Sequence, residues 1–254
     1  MLSVTPTKLG DYLICPQKYK LKHIVKIESA NASAALSFGR TMHRALQALH
    51  QSEECMSDFT EISELLTRYW EADGYPNVEE SELYFAKGYQ ALQNYCKNFD
   101  SREEAVIGTE VYLSSILKIG ELPVRLGCKA DRISAYAEEM LEITDYKTNG
   151  SGKVPTLNSL QNDLPTFLYY VLARVSYPQY QEFCITFLNV LTLEKVSVNY
   201  DAVQVATNKQ SLLKCLKSLA ADDFSPTPSE VCAWCSFQDD CLAFNKIVDF
   251  DSII

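Results

Sequence analysis

The stretch Leu141-Glu142-Ile143-Thr144-Asp145-Tyr146-Lys147-Thr148 constrains the fold more than any other. It predicts a short strand. In an extended chain residues two apart share a face, so Asp145 and Lys147 project together while Tyr146 points the other way. Upstream, Val124 to Ile133 reads as another strand, carrying Asp131, and the short polar turn Ala137-Glu138-Glu139 folds the two into a hairpin. Such a hairpin sets Asp131 close to Asp145 with Lys147 alongside. Clustered carboxylates repel each other, and a divalent cation relieves that repulsion; Mg²⁺ binds through one or two carboxylates plus water and substrate phosphate. On spacing alone, a surface hairpin with an ordinary Asp–Lys pair reads equally well. The rest of the chain has to decide.

At 254 residues the chain is long enough to bury a full core. Its 47% hydrophobic and 22% charged content are those of a folded protein. No apolar run reaches the roughly eighteen residues of a membrane span, and Met1 to Thr7 lacks the basic-then-apolar order of a secretory signal. The expectation is a cytoplasmic protein with no membrane partner. In a reducing compartment nine cysteines point to metal or cluster ligands before disulfides. The net charge of −10 argues against a broadly basic nucleic-acid surface and leaves room only for a local basic groove.

Thr5 is a natural N-cap with Pro6 at the first helical position, and Pro16 after Cys15 marks a break before a second helix. From Phe38, the apolar positions Met42, Ala45, Leu46 and Leu49 recur at helical spacing, and His43 lies one position off that stripe. Taken by itself this histidine reads as a helix-boundary residue without chemistry. Two further stripes, Ile62/Leu65/Leu66/Tyr69/Trp70 and Leu83/Tyr84/Tyr89/Leu92/Tyr95, flank a loop over Glu71 to Glu80. Together they predict a helical insertion with core aromatics. Cys55 and Cys96 have no spaced partner and read as ordinary.

The β region begins at Ala105–Leu113. Glu110 there either shares the face of the acidic pair or caps a strand face in solvent. Lys118 to Glu121 reads as a turn. Asn149 to Lys153 is a flexible loop without the order of a phosphate-binding loop. One helix over Leu157–Arg174, a strand pair over Phe183–Val190 and Glu194–Tyr200, a helix over Ala202–Ala220 and a linker over Asp223–Ser229 follow. Finally, Cys232, Cys235 and Cys241 supply three thiols from one compact turn, and Cys15 is the best fourth for a zinc or an iron–sulfur centre.

In this order the chain resembles the PD-(D/E)XK nucleases. More narrowly, it resembles the RecB-like iron–sulfur branch that includes the AddB nuclease domain and the CRISPR-associated exonucleases of spacer acquisition. The likeness runs from Leu9–Tyr19 around Cys15-Pro16 through the Gly39-x-x-x-His43 helix and Glu110. It continues through Gly127-x-x-x-Asp131-Arg132-Ile133 and Asp145-Tyr146-Lys147-Thr148 to the three C-terminal cysteines. It implies a single α/β domain over 1–254 with a restriction-endonuclease-like core, a central mixed sheet flanked by helices. Residues 37–102 would form a helical arm and 105–200 the catalytic sheet region. Residue 15 with 232–241 would hold a [4Fe–4S] cluster joining both ends.

The resemblance further implies Mg²⁺ or Mn²⁺ held by His43, Asp131, Asp145 and the carbonyl of Tyr146, with Lys147 acting on water or phosphate and Glu110 in support. Many relatives carry a Gln four residues before a Tyr on the following helix. Here Tyr169 keeps the tyrosine, Pro165 takes the glutamine's place, and the nearby Gln161 is out of register.

The function this implies is a metal-dependent deoxyribonuclease, an exonuclease on single-stranded or free-ended DNA, with a helicase or integrase as partner. Arg40, Arg44, Lys129, Arg132 and Lys153 are candidate phosphate contacts, and arm Tyr and Trp side chains are candidate stacking surfaces. Two other readings stand beside it: a non-catalytic nucleic-acid-binding or assembly subunit, and a cluster-based redox sensor.

Overall fold

The structure, a computed structural model, describes residues 1–27, 33–51, 59–99, 105–119, 121–136, 139–149, 154–241 and 243–245. Cys55, the turn residues Gly120, Ala137 and Glu138, and the loop residues 150–153 with Lys153 lie outside the described residues. The elements in chain order are β1 (Leu2–Val4), α1 (Pro6–Ile14), α2 (Pro16–Tyr19) and a π-helical turn (Lys20–Val25). The arm helices α3 (Ala34–Gln51), α4 (Phe59–Tyr69) and α5 (Val78–Asn98) come next. They are followed by β2 (Ala105–Ile119), β3 (Leu122–Tyr136), β4 (Met140–Lys147), α6 (Leu157–Gln161), α7 (Leu164–Ser176), β5 (Glu182–Asn189), β6 (Lys195–Val198) and α8 (Ala202–Ala220). A 3₁₀ turn, Glu230–Trp234, ends the order.

One mixed sheet runs β1-β3-β4-β5-β6, with β2 also paired to β3. The β2–β3 and β3–β4 pairs are antiparallel, and β4–β5 is parallel across the α6–α7 crossover. The sheet therefore combines hairpins with a βαβ unit, as a mixed α/β fold requires. Strand alternation sorts its two faces. Leu141 and Ile143 enter a core with Leu9, Leu126, Phe167 and Leu216, built largely on α1, α7 and α8. Tyr146 and Leu188 enter a second core with Phe38, Met42, Leu66 and Leu92 of the arm. The arm is thus packed on the sheet through its own apolar stripe, and α3 is held at the end of β4.

Local capping explains most boundaries. The Thr5 side chain accepts from the Lys8 N–H at 3.3 Å and starts α1, while Cys15, with an extended backbone, ends it. Asn77 caps α5 through the Glu80 N–H at 2.8 Å, and Asp201 caps α8 through the Gln204 N–H at 2.8 Å. Two sequence expectations need correction. The helix expected over Leu157–Arg174 is two, because Asp163 accepts from the Thr166 N–H at 2.8 Å and restarts the chain as α7, with Pro165 in its first turn. And β1 has no counterpart in the sequence reading: three residues are too few for a periodic signal, and only parallel pairing with Val124–Leu126 makes them a strand.

Candidate active site

Asp131 and Asp145 meet as the hairpin requires. Arg132 pairs with Thr144 and Ile133 with Ile143, so Asp131 stands opposite Asp145 at the next step of the register. Asp131 Oδ2 accepts the Tyr146 N–H at 2.7 Å, which ties the end of β3 to the middle of the Asp145-Tyr146-Lys147 segment. Asp145 and Lys147 share a face and their charged groups touch. The Tyr146 ring points the other way, its hydroxyl 3.1 Å from that of Tyr95 in the arm core. The Lys147 ammonium lies 5.2 Å above the Phe187 ring.

Two other elements close the site. Helix α3 supplies His43, whose Nδ1 lies 3.3 Å from Asp131 Oδ1 and 3.8 Å from Glu110 Oε1. The helix approaches this closely because Gly39 has no side chain; a Cβ there would sit 3.3 Å from Thr148 Oγ1. Strand β2 supplies Glu110, opposite Asp131, in the left-handed region at φ 54°. A non-glycine residue there carries backbone strain, which the surrounding ladder must hold in place. His43, Glu110 and Asp131 bring one ligand atom each within 4.8 Å of one another, the one such group among the described residues. Glu110 thus belongs to this trio, while Asp145 stands beside it, engaged by Lys147.

The electrostatics follow from the crowding. Burial works against a charge on His43, but its bonds to Asp131 and Glu110 outweigh it and push the imidazole up to about 10. Glu110 is also penalised by burial, yet His43 and Lys129 hold its carboxyl below the usual range. Burial raises Asp145, with Asp131 adding to the rise and Lys147 opposing it. Tyr169 of α7 donates to Asp145 Oδ1 at 3.4 Å, and burial beside these carboxylates pushes its phenol upward. Lys129 is paired with Glu110, and the His43 ring lies against both Glu110 and Asp131. Imidazole and carboxylates at this spacing fit a divalent cation such as Mg²⁺ or Mn²⁺.

An open cleft of about 550 Å³ lies over the trio, lined by Gly39, Arg40, His43, Arg44, Lys129 and Asp131 among others. A second cleft of about 470 Å³, with Tyr84, Lys87, Lys147 and Asn149, shares Ala35, Leu36 and Thr148 with the first. Of the candidate phosphate contacts, Arg40, Arg44 and Lys129 line the first cleft. Arg132 does not. It is 4% exposed, donates to the Tyr95 hydroxyl at 2.6 Å and to Thr144 Oγ1 at 3.1 Å, and borders a separate cavity of about 310 Å³ on the arm side of the sheet. Next to Asp131 in an extended strand, it is turned to the opposite face. Nor does Tyr95 offer a stacking surface, being 3% exposed. Gln161 ends α6, with its carbonyl bound by Gln204 and Asn208, so the helix break separates it from Tyr169.

Beside the end of α1, Cys15, Cys232, Cys235 and Cys241 line one small pocket of about 40 Å³ with Ile14, Leu21 and Phe237. The Thr227 N–H donates to Cys15 Sγ at 3.5 Å and the Ser229 N–H to Cys232 Sγ at 3.4 Å. All four are free thiols, as is Cys96.

The mixed sheet thus sets an Asp, an Asp-x-Lys pair and a flanking acid side by side, with Glu110 and Asp131 on one cleft and Lys147 on the adjoining one. Residues 3–242 match the family model of the PD-(D/E)XK nuclease superfamily, and the chain belongs to that family. Among solved structures, one described as a putative exonuclease from Eubacterium rectale shares the fold. It has a TM-score of 0.55 and 10% identity, covering 99% of this chain and 92% of its own. Another, of SSO0001, is 12% identical and covers 91% of this chain and 96% of its own, with a TM-score of 0.37, too low to argue from. No protein of curated function matches the chain. No helix among the described residues is long and apolar enough to cross a membrane.

Proposed function

We propose that this chain is a Mg²⁺- or Mn²⁺-dependent deoxyribonuclease of the cytoplasm, an exonuclease acting on single-stranded or free-ended DNA. The observation that carries the reading is the convergence of His43, Glu110 and Asp131 beside the Asp145–Lys147 pair. His43, Glu110 and Asp131 would hold the cation, with Asp145 and the Tyr146 carbonyl as the further ligands the resemblance implies. Bound there, the metal supplies Lewis-acid polarisation of a phosphate oxygen and a more acidic water. Lys147, on the edge of the cleft, stabilises charge on the phosphate electrostatically. Tyr169 holds the other oxygen of Asp145 and so orients the Asp–Lys pair. The two clefts that meet at Leu36 and Thr148 suit a single strand laid past the start of α3.

The same reading assigns a [4Fe–4S] cluster to Cys15, Cys232, Cys235 and Cys241, joining the chain ends as in the RecB-like iron–sulfur branch. The shared pocket and the two N–H···S bonds support it. A helicase or integrase partner, in recombination, repair or CRISPR adaptation, would supply the free end.

The second reading, a non-catalytic assembly subunit, is favoured by Pro165 at the usual glutamine position and by the net charge of −10. Anaerobically purified protein, end-labelled single- and double-stranded DNA and Mn²⁺ or Mg²⁺ separate the two. Metal-dependent cutting that vanishes in Asp131→Ala and in Lys147→Ala is the expected result, with a brown protein that pales in Cys235→Ser. Binding without cutting by the folded, brown protein would transfer the assignment to the assembly role.

A further inference from the structure

The acidic chain and its basic cleft pose a question of charge. Arg40 and Arg44 stand one turn apart on α3 and line the cleft beside His43. Both are engaged by one carboxylate: Arg40 Nε lies 2.5 Å from Glu71 Oε2, and Arg44 Nη1 lies 2.6 Å from Glu71 Oε1. Each oxygen of Glu71 thus takes one arginine. Glu71 is held for the task, its N–H donating to Thr41 Oγ1 at 3.1 Å on the same helix, directly after Trp70, whose ring stacks on Tyr75 at 5.4 Å.

We propose that Arg40 and Arg44 form a fork for a backbone phosphate of the substrate strand, and that Glu71 fills this fork in the free protein as an internal phosphate mimic. A carboxylate and a phosphodiester each offer one negative charge spread over two free oxygens, which is the pattern a pair of guanidinium groups recognises. The arginine side chains are 39% and 53% exposed, so a phosphate can reach them from the cleft while Glu71 holds them from the arm. Ion pairs this exposed are weak enough to exchange. Lys129, which also lines this cleft, is likewise paired, with Glu110. Glu71 therefore sets how tightly nucleic acid is held and at what ionic strength.

This inference rests on the nuclease reading for its substrate, and its test is one of binding. In a Lys147→Ala background with Mg²⁺, an end-labelled single-stranded oligonucleotide is titrated by fluorescence anisotropy at several salt concentrations. Glu71→Gln should tighten binding by about 3- to 10-fold near 0.1 M salt. It should also steepen the slope of log K against log salt by about 0.7, the increment for one more phosphate on a single strand. Arg40→Gln/Arg44→Gln should weaken binding by a similar factor, and adding Glu71→Gln to that pair should then change nothing. Glu61→Gln, the same charge change on an exposed position of α4, is the control. Glu71→Ser replaces the glutamine variant if melting shows that variant unfolded.

A Glu71 variant no tighter than the Glu61 control, or one still tighter without the arginines, overturns the proposal. If that happens while the Lys147-intact protein cuts DNA, the fork fails and the nuclease reading stands. Tighter binding through the arginines with no cutting leaves the fork and removes the catalysis. Neither binding nor cutting removes both.

Discussion

His50 offers a sharp test of how the arm is joined to the sheet. Its Nε2 lies 2.7 Å from the Tyr95 hydroxyl and 3.3 Å from that of Tyr146, the residue between Asp145 and Lys147. Burial, with the Arg132 guanidinium nearby, lowers its pKa from an ordinary 6.5 to about 3. The unfolded chain therefore takes up a proton below about pH 6.5 that the folded chain refuses, and stability falls as pH drops through this window. At pH 5 the gap to 6.5 corresponds to about 2 kcal/mol at 1.36 kcal/mol per unit.

His50→Gln removes the titration and keeps a polar group against Tyr95. Urea unfolding of both proteins at pH 7.5 and pH 5.0 gives the difference between them. That difference should shift by about 2 kcal/mol against the wild type on acidification. The subtraction cancels His43, whose upward shift acts in the opposite sense. A difference that stays flat, or an NMR titration in which folded His50 protonates near pH 6.5, refutes the reasoning.

Asp11 gives the complementary acid-side test. It pairs with Lys18 and Lys22 at 2.9 Å and His23 at 2.8 Å, and these bonds outweigh its burial and hold its carboxyl at about 2. Its stabilisation is present above the ordinary value of 3.8 and lost as pH falls towards 2. The 38% exposure of Lys22 screens the pair, so Asp11→Asn should cost about 1 kcal/mol at pH 6, and the loss should shrink by pH 2.5 in matched unfolding curves. Gly39→Ile puts a side chain where α3 meets Thr148. It should raise the Mn²⁺ concentration for half-maximal cleavage about 10-fold through His43, whereas an unchanged requirement would show that the helix position is unimportant. Phe167→Ala, at 2% exposure in the core under the sheet, should cost about 3–5 kcal/mol by urea unfolding, with a cost below 1 kcal/mol counting against the packing described.

Much of this could be read from short-range pattern. Strand alternation around Asp145 separates Lys147 from Tyr146, and the hairpin register that sets Asp131 opposite Asp145 follows from one short turn. Caps at Thr5 and the apolar stripes of α3, α4 and α5 are equally local, because a helix or strand period is a property of neighbours. What the chain order could not supply lies between distant segments. Glu110 joins His43 and Asp131 only through β2–β3 pairing and a left-handed backbone. Alternation alone turns Arg132 away from Asp131, but that the arm's Tyr95 receives it on the other face is decided by packing. The partnership of Arg40 and Arg44 with Glu71 depends on where α4 ends against α3. Periodicity determines which face a residue takes; only the packed structure decides what meets that face, since the partners are brought together by burial of apolar surface elsewhere in the chain.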